Sequence, residues 1–159
     1  MKKGVKEFHK NKTMGALLTM AIHDVEEQVK KGIVLNLSVW IIDENINFIF
    51  KASEAKKSKP CEACLAGCAL LNHGLYMGDA SGKGKKIINA MTDSLDSMRK
   101  GHWRSAYQEF YGRYPRADKF DALDSLSGEK WDGVIKGRKM KRFIKGMKEA
   151  AAILIVNKI

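Results

Sequence analysis

Three cysteines lie close together in the sequence, and their spacing is the first feature that could support chemistry. Cys61, Cys64 and Cys68 follow at steps of three and four residues, which would place their sulfurs on one helical face. On a regular helix, Cys61 and Cys68 would stand about 10 Å apart. Two sulfurs on one zinc ion lie at most about 4.6 Å apart. Cys61 and Cys68 could therefore bind the same ion only if Cys61 preceded the helix. A metal site would need Cys61 and Cys64 together with His102 or with ligands from another chain. We predict no metal and no cofactor.

The same cysteines have two other interpretations. Cys61 at a helix amino terminus, near Lys57 and Lys59, would have a lowered pKa and could act as a nucleophile. No histidine or acid lies at a recognisable catalytic spacing, so a cysteine-dependent enzyme is the weakest of our functional hypotheses. Free cysteine also packs as a small apolar residue on buried helix faces. We expect the cysteines to belong to the core and the protein not to be an enzyme.

Basic side chains are concentrated in two regions that could bind anions. The first is the Gly/Lys stretch 78–86, where flexible glycines before a helix could expose N–H groups to phosphate. This stretch lacks the spacing of a Walker loop. A solvated lysine loop without a ligand is the alternative interpretation.

The second basic region is the C-terminal segment 136–148, which contains no acid before Glu149. A helix with a stripe of one charge repels itself, and a multivalent anion would relieve that repulsion. Upstream aromatic rings and a guanidinium offer surfaces on which bases could stack, although rings at helical spacing also suit a core. The predicted ligand-binding residues of both regions are Lys83, Lys85, Lys86, Trp103, Arg104, Tyr107, Arg138, Lys141, Arg142 and Lys145.

Composition limits the class of protein. The 159 residues suit one domain, and 45% hydrophobic with 30% charged residues is an ordinary globular balance. No apolar run approaches the roughly 20 residues of a membrane span, and we expect no secretory signal peptide and no membrane partner. Three clustered cysteines argue against a disulfide scaffold and favour a reducing, intracellular setting. A formal net charge of +11 favours polyanionic partners.

Hydrophobic periodicity predicts a mainly helical α+β protein with about five helices around one core and a small β-hairpin. We expect a basic N-terminal arm at 1–12 and a single helical domain at 13–159. Thr13 is expected to cap a helix that ends near Lys30. Alternating apolar residues after Gly32 and a second apolar run predict a hairpin near 33–50.

The remaining elements follow from the same patterns. A polar connector is predicted at 51–59, then a helix with Pro60 in its first turn that stops at His73. The final turns of the last helix are apolar all round, which is typical of a buried helix or one that meets another chain. Further helices are predicted at about 87–101, 102–111 and 138–157, with a short amphipathic helix within 116–135.

A set of motifs across about residues 16–111 resembles a group of small tailed-phage proteins of unassigned function. The motifs are Ala16-Leu17-Leu18, Trp40 on a strand, Cys61-x-x-Cys64-Leu65-Ala66-Gly67, and Leu95-x-x-Met98-Arg99. This chain differs in having Cys68 and a long basic C-terminal region. The resemblance implies a phage origin and expression in the bacterial cytoplasm, but it implies no activity.

These observations lead to three functional hypotheses. The first is a non-enzymatic phage protein that binds a phosphate-rich ligand, either a nucleotide signal or a nucleic acid, as a host-takeover or anti-defence sponge. Its ligand could lie at a homo-oligomer interface. The second is a protein-binding inhibitor that docks its basic face on a host enzyme, and the third is the cysteine-dependent enzyme. No helix-turn-helix, RNA-binding or zinc-finger signature is present, so we do not expect sequence-specific DNA recognition.

Overall fold

A computed structural model describes residues 2–126 and 131–159, and within them the chain is mainly helical with a small sheet. The helices are α1 (Lys3–Phe8), α2 (Met14–Lys30), α3 (Ala52–Lys57), α4 (Leu65–Asn72), α5 (Gly82–Arg99), α6 (Trp103–Tyr111), α7 (Asp121–Asp124) and α8 (Gly137–Val156). The strands are β1 (Val34–Asn36), β2 (Ile41–Ile42), β3 (Glu62–Ala63) and β4 (Val134–Ile135). The α+β class is confirmed. The predicted count of about five helices is too low for these residues, because α1 and α3, of six residues each, are too short to show a 3.6-residue period.

Helix α2 forms the centre of the fold and matches its prediction. The Thr13 side chain accepts a hydrogen bond from the Ala16 N–H at 3.2 Å, and so caps the first turn. Leu17, Leu18 and Ala21 are fully buried. This apolar stripe lets α2 pack against both α4 and α8.

The sheet is built from distant segments, in the order β2-β3-β1-β4. Strand β1 pairs in parallel with β3, where Leu35 lies opposite Ala63, and antiparallel with β4. The hairpin predicted near 33–50 is present only next to its turn, where Ile42 and Phe48 form an antiparallel bridge and the Ile49 N–H donates to the Ile41 carbonyl at 2.9 Å. The long first strand expected for it is instead divided into β1 and β2, which lie on either side of β3. Alternation identifies a strand but carries no information about its partner.

The predicted basic arm is instead a short helix with an apolar side. Val5 and Phe8 of α1 are buried, and the Phe8 ring lies 5.7 Å from the ring of His73. A Cβ at Gly4 would lie 2.6 Å from the His73 carbonyl oxygen, so α1 is in close contact with the end of α4. Residues 2–8 therefore belong to the fold. The predicted connector at 51–59 likewise contains α3.

The helix predicted from Pro60 begins later than expected. Strand β3 intervenes, Cys64 occupies the N-cap, and α4 starts at Leu65. Helix α4 ends at Asn72 with His73 as its C-cap, as predicted. Because the strand pairs with both β1 and β2, tertiary contacts override the local helical pattern here.

The later helices lie close to their predicted positions. Helices α5 and α6 pack tightly against each other, and the predicted Gly/Lys loop contributes the first turn of α5. The apolar end of helix α8 was expected to be buried or to meet another chain. Leu154 is buried, but Ile155 and Val156 are 55% and 80% exposed, so only one side of these turns is covered. A short 3-10 helix at Ala117–Phe120 and α7 lie where a short helix was predicted within 116–135, and residues 127–130 of that range lie outside the described residues.

Candidate functional site

The predicted ligand-binding residues do not form one site. The Trp103 side chain is buried in the core, which removes it as an exposed stacking surface. Tyr107 packs its ring against those of Tyr111 and Phe120, at 4.5 and 5.8 Å between centroids. The Arg104 guanidinium binds a carboxylate, with Nη1 2.7 Å from Oδ2 of Asp124. These three aromatic and basic side chains therefore have structural partners.

The first predicted basic region lies at a cavity of about 520 Å³ at the amino end of α5, the α5 pocket. Its polar and charged lining residues are Lys2, Tyr76, Asp79, Ser81 and Lys83, and its apolar lining includes Val5, Leu75 and Ile88. Lys85 and Lys86 are exposed at the same amino end of α5, in its first and second turns. The structure thus adds Lys2, Tyr76 and Ser81 to the prediction and retains Lys83.

The backbone of α5 favours negative charge at this end. Ser81 occupies the N-cap in an extended conformation, and its side chain makes no capping hydrogen bond. The first N–H groups of a helix have no intrahelical partner. An 18-residue helix also carries a partial positive charge at its amino end. The Lys83 ammonium adds to this field.

The docking of helix α1 brings one further lysine, its N-cap Lys2, to the α5 pocket. A Cβ at Gly84 would lie 3.8 Å from Cγ1 of Val5, so α1 packs against the first turn of α5. Lys2 consequently lines the same cavity as Lys83. The pocket also contains one acid, Asp79, whose Oδ2 accepts a hydrogen bond from the Ala52 N–H at 2.8 Å. No pattern within the sequence could have revealed this convergence, because it depends on the packing of α1.

Tyr76 gives the α5 pocket an aromatic side chain. Burial raises the pKa of its hydroxyl, and the nearby Asp79 carboxylate raises it further. The phenol is therefore neutral at physiological pH and can donate a hydrogen bond to an anionic oxygen.

The second predicted basic region is divided between two grooves, because successive helical residues point about 100° apart. Lys141 and Lys145 line a groove of about 740 Å³ between α2 and α8, the α2/α8 groove. Lys145 also borders a cavity of about 390 Å³ on the other side of α8, together with Arg142. There the Arg142 guanidinium lies 5.9 Å from the centre of the Trp131 ring. Arg138 is exposed.

The cysteines are poor nucleophiles in this environment. Cys61 lies before β3, and burial, followed by the Glu62 and Asp43 carboxylates, raises the pKa of its thiol. This corrects the expectation of a lowered pKa at a helix amino terminus. Burial also raises the pKa of Cys64 and of Cys68. All three thiols are thus protonated at neutral pH.

The cysteines instead have structural contacts. The Cys64 Sγ accepts a hydrogen bond from the Gly67 N–H at 3.4 Å, and the Cys68 thiol donates to the Ala63 carbonyl at 3.9 Å. Within residues 2–126 and 131–159, no group of three or more His, Cys, Asp or Glu side chains is placed to hold a metal ion. The conceivable ligand set of Cys61, Cys64 and His102 is therefore not assembled in this part of the chain.

Comparisons with models of protein families, with curated proteins and with solved structures identify no match for this chain. In the described part of the protein, no helix is both long enough and apolar enough to cross a bilayer. We therefore infer function from the geometry and charge of the surfaces.

Proposed function

We propose that this protein is a non-enzymatic binding protein that captures a phosphate-rich ligand, a nucleotide, in the α5 pocket. The observation that carries the proposal is that Lys2 and Lys83 line one cavity at the amino end of an uncapped 18-residue helix. Phosphate groups bind at such helix ends because N–H groups and the helix dipole both favour negative charge. Two ammonium groups add charge-assisted hydrogen bonds.

The dimensions of the pocket suit a small ligand. Its volume of about 520 Å³ lies within the roughly 300–1,000 Å³ of small-molecule sites. Val5, Leu75 and Ile88 provide apolar contact for a base or sugar, while Tyr76 provides a ring and a hydroxyl. The net charge of +11 speeds capture of any polyanion.

The biological role that we propose follows from the resemblance to tailed-phage proteins. A phage protein made in the bacterial cytoplasm could sequester a nucleotide signal of the host and so suppress a defence response. Sequestration needs no catalysis, which agrees with the raised pKa of all three thiols. Binding at an interface between two copies of the chain remains part of this proposal.

Isothermal titration calorimetry tests the proposal with nucleoside triphosphates, cyclic dinucleotides, single-stranded DNA and duplex DNA. The measurements are made at about 50 mM salt, where contacts to phosphate are only weakly screened. We expect a small nucleotide to bind, and the double variant Lys2→Gln/Lys83→Gln to weaken binding at least about tenfold. The control Lys141→Gln/Lys145→Gln removes the same charge from the α2/α8 groove.

Two results would overturn the proposal. One is that no nucleotide binds the wild-type protein. The other is that both double variants weaken binding equally, which would show attraction to the overall charge and not to the α5 pocket. Tighter binding of DNA than of any nucleotide would replace the nucleotide with nucleic acid as the ligand.

A second candidate function, inhibition of a host protein through the basic face, is favoured by one observation. Lys141 and Lys145 border a groove whose floor is aliphatic, which suits a protein partner better than a phosphate chain. The α2/α8 groove therefore suits a different kind of ligand, a protein, from the nucleotide proposed for the α5 pocket.

A further inference from the structure

The α2/α8 groove has an apolar floor that no other element of the described chain covers. Val25 and Val29 of α2 face Met140, Ile144 and Ala152 of α8 across it. Val29 is 38% exposed although it is a large aliphatic residue that lines the groove. An exposed apolar strip with a polar rim is typical of an interaction surface.

The rim of the groove is predominantly positive. Four lysines line it, Lys30, Lys141, Lys145 and Lys148, against two acids, Glu26 and Glu149. The Lys148 ammonium is partly neutralised, since it lies 3.3 Å from Oε1 of Glu26. The Lys30 ammonium is likewise partly neutralised, since its Nζ lies 3.4 Å from Oε1 of Glu27.

Within residues 2–126 and 131–159, two of these ammonium groups have no acidic partner. Neither Lys141 nor Lys145 forms an ion pair with a described residue. Both lie on α8, four residues and about 6 Å apart along the axis. A partner would therefore gain most from carboxylates spaced by one helical turn.

The shape of the groove distinguishes a helix from a small molecule. It follows α8 from Met140 to Ala152, a distance of about 18 Å at 1.5 Å per residue. Its lining contains no aromatic ring and no uncharged hydrogen-bonding side chain, the groups that usually orient small ligands. An aliphatic floor with charged edges matches the helix-in-groove mode of recognition.

We propose that the α2/α8 groove docks an acidic amphipathic helix of a partner protein. Aliphatic side chains at positions i, i+3, i+4 and i+7 of the partner cover Val29 and Ile144. Its flanking glutamates or aspartates pair with Lys141 and Lys145. This inference is independent of nucleotide binding, because it uses a different surface and different lysines.

Fluorescence anisotropy with a labelled synthetic peptide tests the inference. The probe has about 14 residues, four turns of helix, with leucine at the four helical contact positions and glutamate beside them. One control peptide has the same composition in scrambled order, and another replaces every glutamate with lysine. We expect the wild-type protein to bind the amphipathic acidic peptide and neither control.

Variants of the protein locate the binding surface. We expect Lys141→Gln/Lys145→Gln to weaken binding of the acidic peptide about three- to tenfold. Val29→Ser removes apolar contact without changing charge and should also weaken it. The matched control Lys85→Gln/Lys86→Gln removes two exposed lysines from α5 and should have little effect. Circular dichroism of each variant verifies its helical content.

Several outcomes would overturn the inference. They are no binding of the acidic peptide, equal binding of the scrambled peptide, and equal weakening by the two double-lysine variants. Binding of vesicles of anionic phospholipid through Lys141 and Lys145, without peptide binding, would assign the groove to a lipid surface instead. Loss of nucleotide binding alone would leave this inference standing, because the α5 pocket does not contribute to the groove.

Discussion

The imidazole Nε2 of His73 lies 3.2 Å from Oδ2 of Asp24, whose side chain is almost fully buried between α2 and α4. This contact has the distance of an ion pair but not the alignment of a hydrogen bond. The other carboxylate oxygen accepts a hydrogen bond from Nδ2 of Asn72 at 2.7 Å. Gln28 extends the cluster by donating to Asn72 at 3.0 Å. Because a buried carboxylate is costly without partners, this cluster holds the end of α4 against α2.

Replacing Asp24 should destabilise the protein. Asp24→Ala leaves the Asn72 amide without its acceptor and removes the carboxylate beside the His73 imidazole, and we expect a loss of about 1–3 kcal/mol. Urea unfolding measures the change in free energy. Glu27→Ala, which removes a half-buried surface partner of Lys30, is the control and should cost less than about 1 kcal/mol. Equal effects of the two substitutions would contradict a special role for the buried cluster.

A glycine in α4 permits close packing against the backbone near β2. A Cβ at Gly67 would lie 2.8 Å from the Trp40 carbonyl oxygen, so Gly67→Ala should destabilise the fold by about 1–3 kcal/mol. The control is Gly146→Ala within α8, where nothing lies within 4 Å of the added Cβ. There we expect stabilisation of about 0.5–1 kcal/mol from helix propensity. Thermal unfolding measures whether each variant is more or less stable than the wild type. A stabilised Gly67→Ala protein would contradict the close contact between Gly67 and the Trp40 carbonyl.

Acid should destabilise the turn after β2, because it protonates the Asp43 carboxylate. Its carboxylate accepts hydrogen bonds from the Ser58 hydroxyl at 2.6 Å and the Asn47 N–H at 2.9 Å, which lower its pKa. A lowered folded-state pKa stabilises the protein above the unfolded value of about 3.9, and this contribution disappears as pH falls through the folded value.

The pH dependence can be measured with a matched pair of variants. Urea unfolding at about pH 7 and about pH 3 should show a smaller acid-induced loss of stability for Asp43→Asn than for the wild type. Glu44→Gln, at the exposed neighbouring residue, should retain the full wild-type dependence. An unchanged dependence in Asp43→Asn would contradict the assignment.

The cysteines should react slowly and in a defined order. Cys61 is half-buried, whereas Cys64 and Cys68 are buried, and the pKa of each thiol is raised. At about pH 7 we expect iodoacetamide to modify Cys61 first, more slowly than a free thiol with a pKa near 8.5. Mass spectrometry of digested protein gives the rate at each position. Rapid modification of Cys61 at about pH 6 would revive the hypothesis of a catalytic thiol.

A substitution at the N-cap of α5 should change stability and ligand binding in opposite directions. Ser81→Asp places a carboxylate at the positive end of the helix and should stabilise the fold by about 0.3–1 kcal/mol. The same charge should repel phosphate and weaken nucleotide binding. Calorimetry and thermal unfolding of one variant measure both effects. If Ser81→Asp bound the nucleotide more tightly than the wild type, the α5 pocket would not be the binding site. The change in stability of this variant tests only the capping of α5 by residue 81.

The local patterns of the sequence were sufficient to predict several elements. Helix α2 begins after Thr13 and ends at Lys30 because its apolar period and its cap act within a few residues. The end of α4 at Asn72 follows for the same reason. The net charge of +11 is a property of composition alone.

Other features depend on contacts between distant segments, so the tertiary structure alone decided them. The parallel pairing of β1 with β3, the burial of Trp103 and the docking of α1 require partners that no local period encodes. The same packing places Lys2 beside the cavity of Lys83 and turns Lys141 toward α2. Sequence by itself determined the longer helices, such as α2, α5 and α8, and the excess of positive charge. Folding decided where the charges meet, because burial of apolar faces, and not the lysines, sets how the helices pack.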